Sequence, residues 1–227
     1  MNVRIKICGL RDEATIKAMD GLSLDEIGLV FAPSKRQVSK EEAAKLIEAI
    51  HGIRNDRKAR PHAVGVFVNE SMEELANILA VAPLDVVQLH GQESPSYYSE
   101  LRERFPGTAV WRVVSIRREA DATADGQMVD PNERLAPYAG LVDAILIDAP
   151  GGGTGKPFNW DVIEAYKQSA ASLGLPLYVA GGLHEGNVQE LLYKHSPDGI
   201  DLSGGVETDG RKDIEKIRSF VRRVREA

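Results

Sequence analysis

The chain holds a single cysteine in 227 residues. That excludes an intrachain disulfide framework and with it the small stapled folds of secreted proteins. No apolar run approaches the ~20 residues of a membrane-spanning helix. The N-terminus carries no apolar stretch followed by a cleavage site, so no signal peptide is expected. The formal charge is −6 and no block of like charge stands out. Nucleic-acid-binding proteins usually show a basic face, so no nucleic-acid partner is expected. The His, Cys, Asp and Glu spacings do not resemble a metal site, since the one cysteine has no histidine near it in sequence. No internal repeat or low-complexity segment is evident. The expectation is a soluble cytoplasmic protein that needs neither metal nor membrane.

What is present is a rhythm. Apolar residues make up 43% of the chain, enough for a sizeable core, and they fall in short β-rich runs separated by polar, amphipathic stretches. Strands are expected at Arg4–Cys8, Glu26–Phe31, His62–Val68, Val86–His90, Val110–Ser115, Ala144–Asp148, Leu177–Ala180 and Gly199–Leu202. Most are nearly continuous apolar runs, the pattern of parallel strands buried on both faces. Helices are expected at Ser39–Ile50, Ser71–Val81, Ser96–Phe105, Trp160–Ser169, Gly186–Tyr193 and Lys212–Val224. Two open with a serine followed three residues on by glutamate, the capping-box pattern (Ser39 with Glu42, Ser71 with Glu74). Eight strands in 227 residues give about 28 residues per unit, the size of one βα unit. The fingerprint of a dinucleotide-binding sheet is absent after the first strand. The fold expected is α/β, a single (β/α)8 TIM barrel spanning 1–227. The polar stretch Arg117–Arg134 reads as an elaborated loop after strand 5.

In such a barrel the active site forms at the C-terminal ends of the strands. Cys8 ends strand 1, where a thiol would face a substrate; a small buried hydrophobe is the alternative. Asp148 ends strand 6, where partial desolvation would raise its pKa and suit it to act as an acid; an aspartate capping its own turn is the alternative. His90 ends strand 4, as a pocket residue or a packed histidine. Arg36 follows strand 2 and its planar guanidinium suits a substrate carboxylate. Gly181 and Gly182 after strand 7, and Ser203, Gly204 and Gly205 after strand 8, would let backbone N–H groups approach an anion. Barrels often bind phosphate at this corner. The run Gly151 to Lys156 fails as a P-loop, because Pro150 stands where the first glycine belongs and Pro157 follows the lysine. It is either a loop hinged to close over a substrate or a simple connection. Lys6 shares a strand face with Cys8 and is a plausible pocket residue, though a Schiff-base aldolase is the weaker enzyme reading.

Taken together, the motifs resemble one family. KICGL at 6–10, SKRQVS at 34–39, VGVFVN at 64–69, VQLHG at 87–91, ID at 147–148 with GGTGK at 152–156, AGGL at 180–183 and DLSGGVE at 201–207 occur in that order along the whole chain. The chain resembles the phosphoribosylanthranilate isomerases of tryptophan biosynthesis. The resemblance implies a (β/α)8 barrel with no cofactor, acting on phosphoribosylanthranilate as a monomer or homodimer. It implies an Amadori rearrangement with Cys8 as general base and Asp148 as general acid. Arg36 would bind the anthranilate carboxylate, with His90 at the pocket wall. Gly182, Ser203, Gly204 and Gly205 would hold the phosphate. Gly204 stands where a second serine is often found, and the loops at 51–61 and 117–134 look longer than the family minimum. The related sugar-phosphate isomerases of histidine biosynthesis share the phosphate corner but use an aspartate where this chain has Cys8. A phosphometabolite-binding protein without catalysis would keep the glycine corner without needing both Cys8 and Asp148.

Overall fold

The computed structural model describes residues 3–116, 129–148 and 160–227. Eight strands, β1 (Arg4–Cys8), β2 (Glu26–Val30), β3 (His62–Phe67), β4 (Val86–Leu89), β5 (Ala109–Ser115), β6 (Ala144–Asp148), β7 (Leu177–Val179) and β8 (Gly199–Leu202), close into a barrel. All neighbours are parallel, and β8 pairs with β1 through Arg4↔Gly199 and Lys6↔Asp201. Every expected strand forms, several one residue shorter at the C-terminal end, where the chain turns out of the sheet. His90 thus lies in the loop just after β4 rather than on it.

The helices are α1 (Glu13–Ala18), α2 (Lys40–Gly52), α3 (Met72–Val81), α4 (Pro95–Arg104), α5 (Pro131–Leu135), α6 (Ile163–Ser172), α7 (Val188–His195) and α8 (Ile214–Arg225). Ser39 closes a full capping box with Glu42, and Ser71 accepts from the Glu74 amide. Two helices were not expected. α1 is six residues long and buries only Ile16, too little periodicity to read, although Asp12 caps it. α5 lies inside the stretch expected to be loop: Asp130 caps it and Pro131 opens it, and proline is well suited to the first turn. Of that stretch, 117–128 lies outside the described residues, as does the 151–156 run. The expected long loop at 51–61 is shortened by α2, which runs through Gly52. The rest turns about the Asn55 side chain, which accepts from the amides of Arg57 and Ala59. A hairpin also follows β8: β9 (Glu207–Thr208) pairs antiparallel with β10 (Arg211–Lys212), placing Glu207 opposite Lys212.

Alternation along each strand divides the apolar residues into two clusters. Outward residues such as Ile5, Ile7, Ile27 and Ile145 pack against the helices with Leu46, Tyr98, Leu191 and Phe220. Each fully buried aliphatic side chain there contributes ~1.5–3 kcal/mol. Inward residues of β3 to β7 form the barrel interior: Val64, Val86, Trp111, Val113, Ala144, Leu146, Tyr178 and Ala180. The opposite wall is polar. Lys6, Glu26 and Asp201 are buried there, and Tyr178 crosses the interior to donate to Glu26 at 3.1 Å. Gly199 makes room for that tyrosine, since a Cβ there would lie 2.3 Å from its ring.

The floor of the barrel carries a fourfold device. The aspartates that precede β2, β4, β6 and β8 (Asp25, Asp85, Asp143 and Asp198) each accept an amide at the start of the preceding strand: Ile5 at 2.9 Å and Ala63, Val110 and Leu177 at 2.8 Å. Each aspartate's own N–H returns to the carbonyl of the same residue, at 2.7–3.1 Å. One residue per quarter is too sparse to register as a sequence repeat, yet it sets the register of alternate strand pairs. Among the described residues, no helix is long and apolar enough to cross a membrane.

Candidate active site

At the opposite end of the barrel, Cys8, Arg36, His90, Asp148, Gly182, Ser203, Gly204 and Gly205 all line one cavity of about 290 Å³. They come from the ends of β1, β2, β4, β6, β7 and β8, so only closure of the barrel brings them together.

Cys8 is a free thiol, 8% exposed. Gly28 on β2 sits directly opposite it. A Cβ at Gly28 would lie 2.8 Å from Cys8 Sγ and 3.1 Å from Lys6 Nζ, so the glycine leaves room for both groups at one spot. Lys6 does not reach the cavity wall. It is fully buried beneath it, with Nζ 3.0 Å from Asp201 Oδ1. Burial works to lower the Lys6 pKa, but Asp201 and Cys8 outweigh it and hold the ammonium above its usual value. Burial pushes the Cys8 thiol up, and the neighbouring Lys6 and Lys212 charges oppose that. The resting site therefore holds mainly thiol at neutral pH.

Asp148 is buried at the end of β6. His90 Nε2 stands 3.5 Å from its Oδ2. Burial lowers the His90 pKa, so the imidazole is neutral at pH 7. The loop that carries His90 is pinned by Glu93, whose carboxylate accepts from the amides of Asn69 at 2.8 Å and Gly91 at 3.0 Å. Gln92 in turn donates to Asn69 Oδ1 at 2.6 Å. The ends of β3 and β4 are thus tied together behind the histidine.

At the glycine corner the chain takes backbone that other residues rarely adopt: φ is +91° at Gly181 and +66° at Gly182. The turn after β8 packs against the turn after β7 so closely that a Cβ at Gly205 would lie 2.0 Å from the Leu183 carbonyl oxygen. The amides of Gly182, Gly204 and Gly205 hydrogen-bond to no other described residue. They are available to an anion. The Ser203 hydroxyl is already committed, donating to the Cys8 carbonyl at 3.0 Å and accepting from Lys212 at 3.1 Å.

Arg36 lies along the side of the cavity, with its Nε and Nη2 donating to Glu207 at 2.7 and 3.0 Å. Its neighbour Lys35 is exposed. Lys212, Glu207 and Asp201 had no assigned part in the sequence reading, whereas Lys6, expected as a pocket residue, is absent from the cavity lining. Asp201 and Gln88 do line the cavity, and inward alternation from Ser203 and His90, two residues on, would have found both. Glu207 and Lys212 carry no such signal, because their hairpin is outside the barrel pattern.

The family model for N-(5'-phosphoribosyl)anthranilate (PRA) isomerase matches residues 5–223. An N-(5'-phosphoribosyl)anthranilate isomerase of Brevibacillus brevis is 44% identical over 98% of this chain and 93% of its own length. One from a Thermoanaerobacter species is 36% identical over 98% of both. Among solved structures, phosphoribosyl anthranilate isomerase from Thermotoga maritima superposes with a TM-score of 0.76 at 30% identity, covering 99% of this chain and 100% of that one. Another, solved in complex with reduced 1-(o-carboxyphenylamino)-1-deoxyribulose 5-phosphate, gives 0.75 at 29% identity, covering 99% of this chain and 100% of that one. Matched by one family model and by curated relatives along nearly its full length, the chain belongs to the phosphoribosylanthranilate isomerases, enzymes of tryptophan biosynthesis.

Proposed function

We propose that this barrel, acting as one domain, converts N-(5-phosphoribosyl)anthranilate to 1-(2-carboxyphenylamino)-1-deoxyribulose 5-phosphate by an Amadori rearrangement. The observation that carries the reading is the placement of Cys8 and Asp148 on one cavity, between a guanidinium on one side and free amides on the other. The substrate has the matching ends: a carboxylate on its aromatic ring and a phosphate on its sugar. Arg36 receives the carboxylate, and the amides of Gly182, Gly204 and Gly205 receive the phosphate. Ser203 supports that corner through the backbone, since its hydroxyl is engaged elsewhere. This arrangement suspends the ribose between the two acid–base groups.

Asp148, protonated, gives its proton to the furanose ring oxygen. The C1′–O bond breaks and the nitrogen lone pair forms an iminium. That cation makes the C2′ proton acidic, and Cys8 as thiolate removes it. The electron pair moves to the iminium nitrogen, giving an enolamine that tautomerises to the ketone. No atom is gained or lost. The iminium also places a positive charge near sulfur, adding to Lys6 in favouring the thiolate when it is needed. His90, neutral and beside Asp148, orients the acid. Two positioned acid–base groups contribute about 10²–10⁴ each in rate. The test is turnover of freshly prepared substrate by the purified protein, followed as loss of anthranilate-type fluorescence. Absence of enzyme-dependent conversion refutes the proposal.

A further inference from the structure

Glu207 lies beyond the cavity wall, behind Arg36, and takes no part in the chemistry above. Its carboxylate accepts from Arg36 Nε at 2.7 Å and Nη2 at 3.0 Å, the side-on fork of the guanidinium. Five N–H groups radiate from an arginine, so this leaves the Nη1 pair and the second Nη2 proton. One Nη1 proton and that second Nη2 proton form the end-on fork, which can hold a second carboxylate in bidentate fashion. Arg36 is also fixed along its stem. It crosses Gly9, where a Cβ would lie 2.5 Å from Arg36 Cδ.

The pairing extends further. Lys212, across the hairpin from Glu207, donates to Glu207 Oε1 at 2.9 Å, to the Ser203 carbonyl at 2.8 Å and to Ser203 Oγ at 3.1 Å. Ser203 Oγ then donates to the Cys8 carbonyl at 3.0 Å. A continuous chain of hydrogen bonds, charge-assisted as far as Ser203, thus runs from Arg36 through Glu207 and Lys212 to the corner after β8 and the backbone of Cys8. Glu207 and Lys212 side chains are 8% and 3% exposed, so water does not compete for these bonds. Burial works to raise the Glu207 pKa, but the hydrogen bonds from Arg36 and Lys212 prevail and hold it at about 2. It stays ionised at any working pH.

We propose that Glu207 is a positioning residue for substrate selection: it grips the side-on fork of Arg36 so that the end-on fork faces the cavity, and through Lys212 it sets the span between that fork and the glycine corner. The proposal rests on the reading that Arg36 receives the aromatic carboxylate. It predicts that the contribution of Glu207 is felt only by ligands carrying that carboxylate.

Two probes separate this from general support of the fold: the reduced product, 1-(2-carboxyphenylamino)-1-deoxyribitol 5-phosphate, and its counterpart with a plain phenyl ring. Binding of each is measured calorimetrically. Glu207→Gln should weaken the carboxylated probe about 10- to 100-fold and leave the phenyl probe within about threefold of wild type. In Arg36→Ala, adding Glu207→Gln should cause no further loss. Arg36→Lys keeps the charge but cannot present two forks, so it should also lose the preference for the carboxylated probe. This variant stands in if Glu207→Gln does not fold. Equal weakening of both probes by Glu207→Gln, no weakening, additivity with Arg36→Ala, or retained preference in Arg36→Lys each overturns the positioning role. If Arg36→Ala itself binds both probes with unchanged preference, the carboxylate reading of Arg36 fails first, and the proposal with it.

Discussion

Glu26→Gln should stabilise the barrel above neutral pH and leave it nearly unchanged in mild acid. Glu26 points into the interior on β2 with its side chain fully buried. It is paired with Arg4 and accepts from the Tyr178 hydroxyl. One of its oxygens, Oε2, has no hydrogen-bond partner. Burial dominates over the Arg4 charge and raises its pKa from 4.5 to about 8. A folded pKa above the unfolded one means that the native state holds a proton the unfolded chain has released. The associated stability is complete below pH 4.5, drains as pH rises through about 8, and is then gone. At about 1.4 kcal/mol per pH unit the ceiling is ~5 kcal/mol. Arg4, already in contact with Glu26 and 41% exposed, offsets part of the cost of ionising it, so ~2–5 kcal/mol is the expected span. Glutamine matches the protonated acid in shape, accepts from Tyr178 and does not titrate. Urea unfolding of both proteins at intervals from pH 5 to 8.5 isolates the effect, because every other titrating group cancels in the difference. The two should lie within about 1 kcal/mol of each other near pH 5 and diverge in favour of the variant toward pH 8.5. A difference independent of pH, or a variant weaker at pH 8.5, would show that Glu26 is ionised throughout and bound to Arg4.

The remaining expectations concern the cavity. Cys8→Ser and Asp148→Asn should each lower kcat by about 10²–10⁴ with unfolding midpoints near wild type; near-normal turnover in both removes the acid–base assignment. Arg36→Ala should raise KM more than it lowers kcat, and an unchanged KM argues that the carboxylate binds elsewhere. In Asp148→Asn the acid no longer titrates, and because burial raises the Cys8 thiol pKa, the residual kcat/KM should climb with pH from 6 to 8 while the thiolate fraction grows. A flat profile in that variant contradicts a thiol that must ionise. Gly28→Ala puts a methyl 2.8 Å from Cys8 Sγ, so a cost of ~1–3 kcal/mol from overpacking should accompany a loss of turnover. Full activity at full stability would show that the wall yields.

The strands were legible because most are buried on both faces and therefore nearly continuously apolar, as in the β6 run from Ala144 to Ile147. The longer helices were legible through serine caps and a single apolar stripe. α1 was not, since six residues hold too few turns to show a period. α5 was hidden in a run rich in charge, where its cap and its proline also read as turn signals. The aspartates of the floor and the Glu207–Lys212 pair escaped for a different reason: nothing local distinguishes a buried bracket from a surface carboxylate.

The sequence alone determined the periodicity, and with it a (β/α)8 chain, together with the residues that end its strands, Cys8, Asp148 and the glycines after β7 and β8. Those are local properties, written in alternation and turn chemistry. Only the tertiary structure decided what those residues face. Barrel closure sets Lys6 of β1 beside Asp201 of β8, joins Arg36 to Glu207 across 171 residues, and carries Tyr178 through the interior to Glu26. Such pairings join residues far apart in the chain, and the cost of burying their charges is met only when the partner arrives. No run of residues on one strand can signal a partner that another strand supplies.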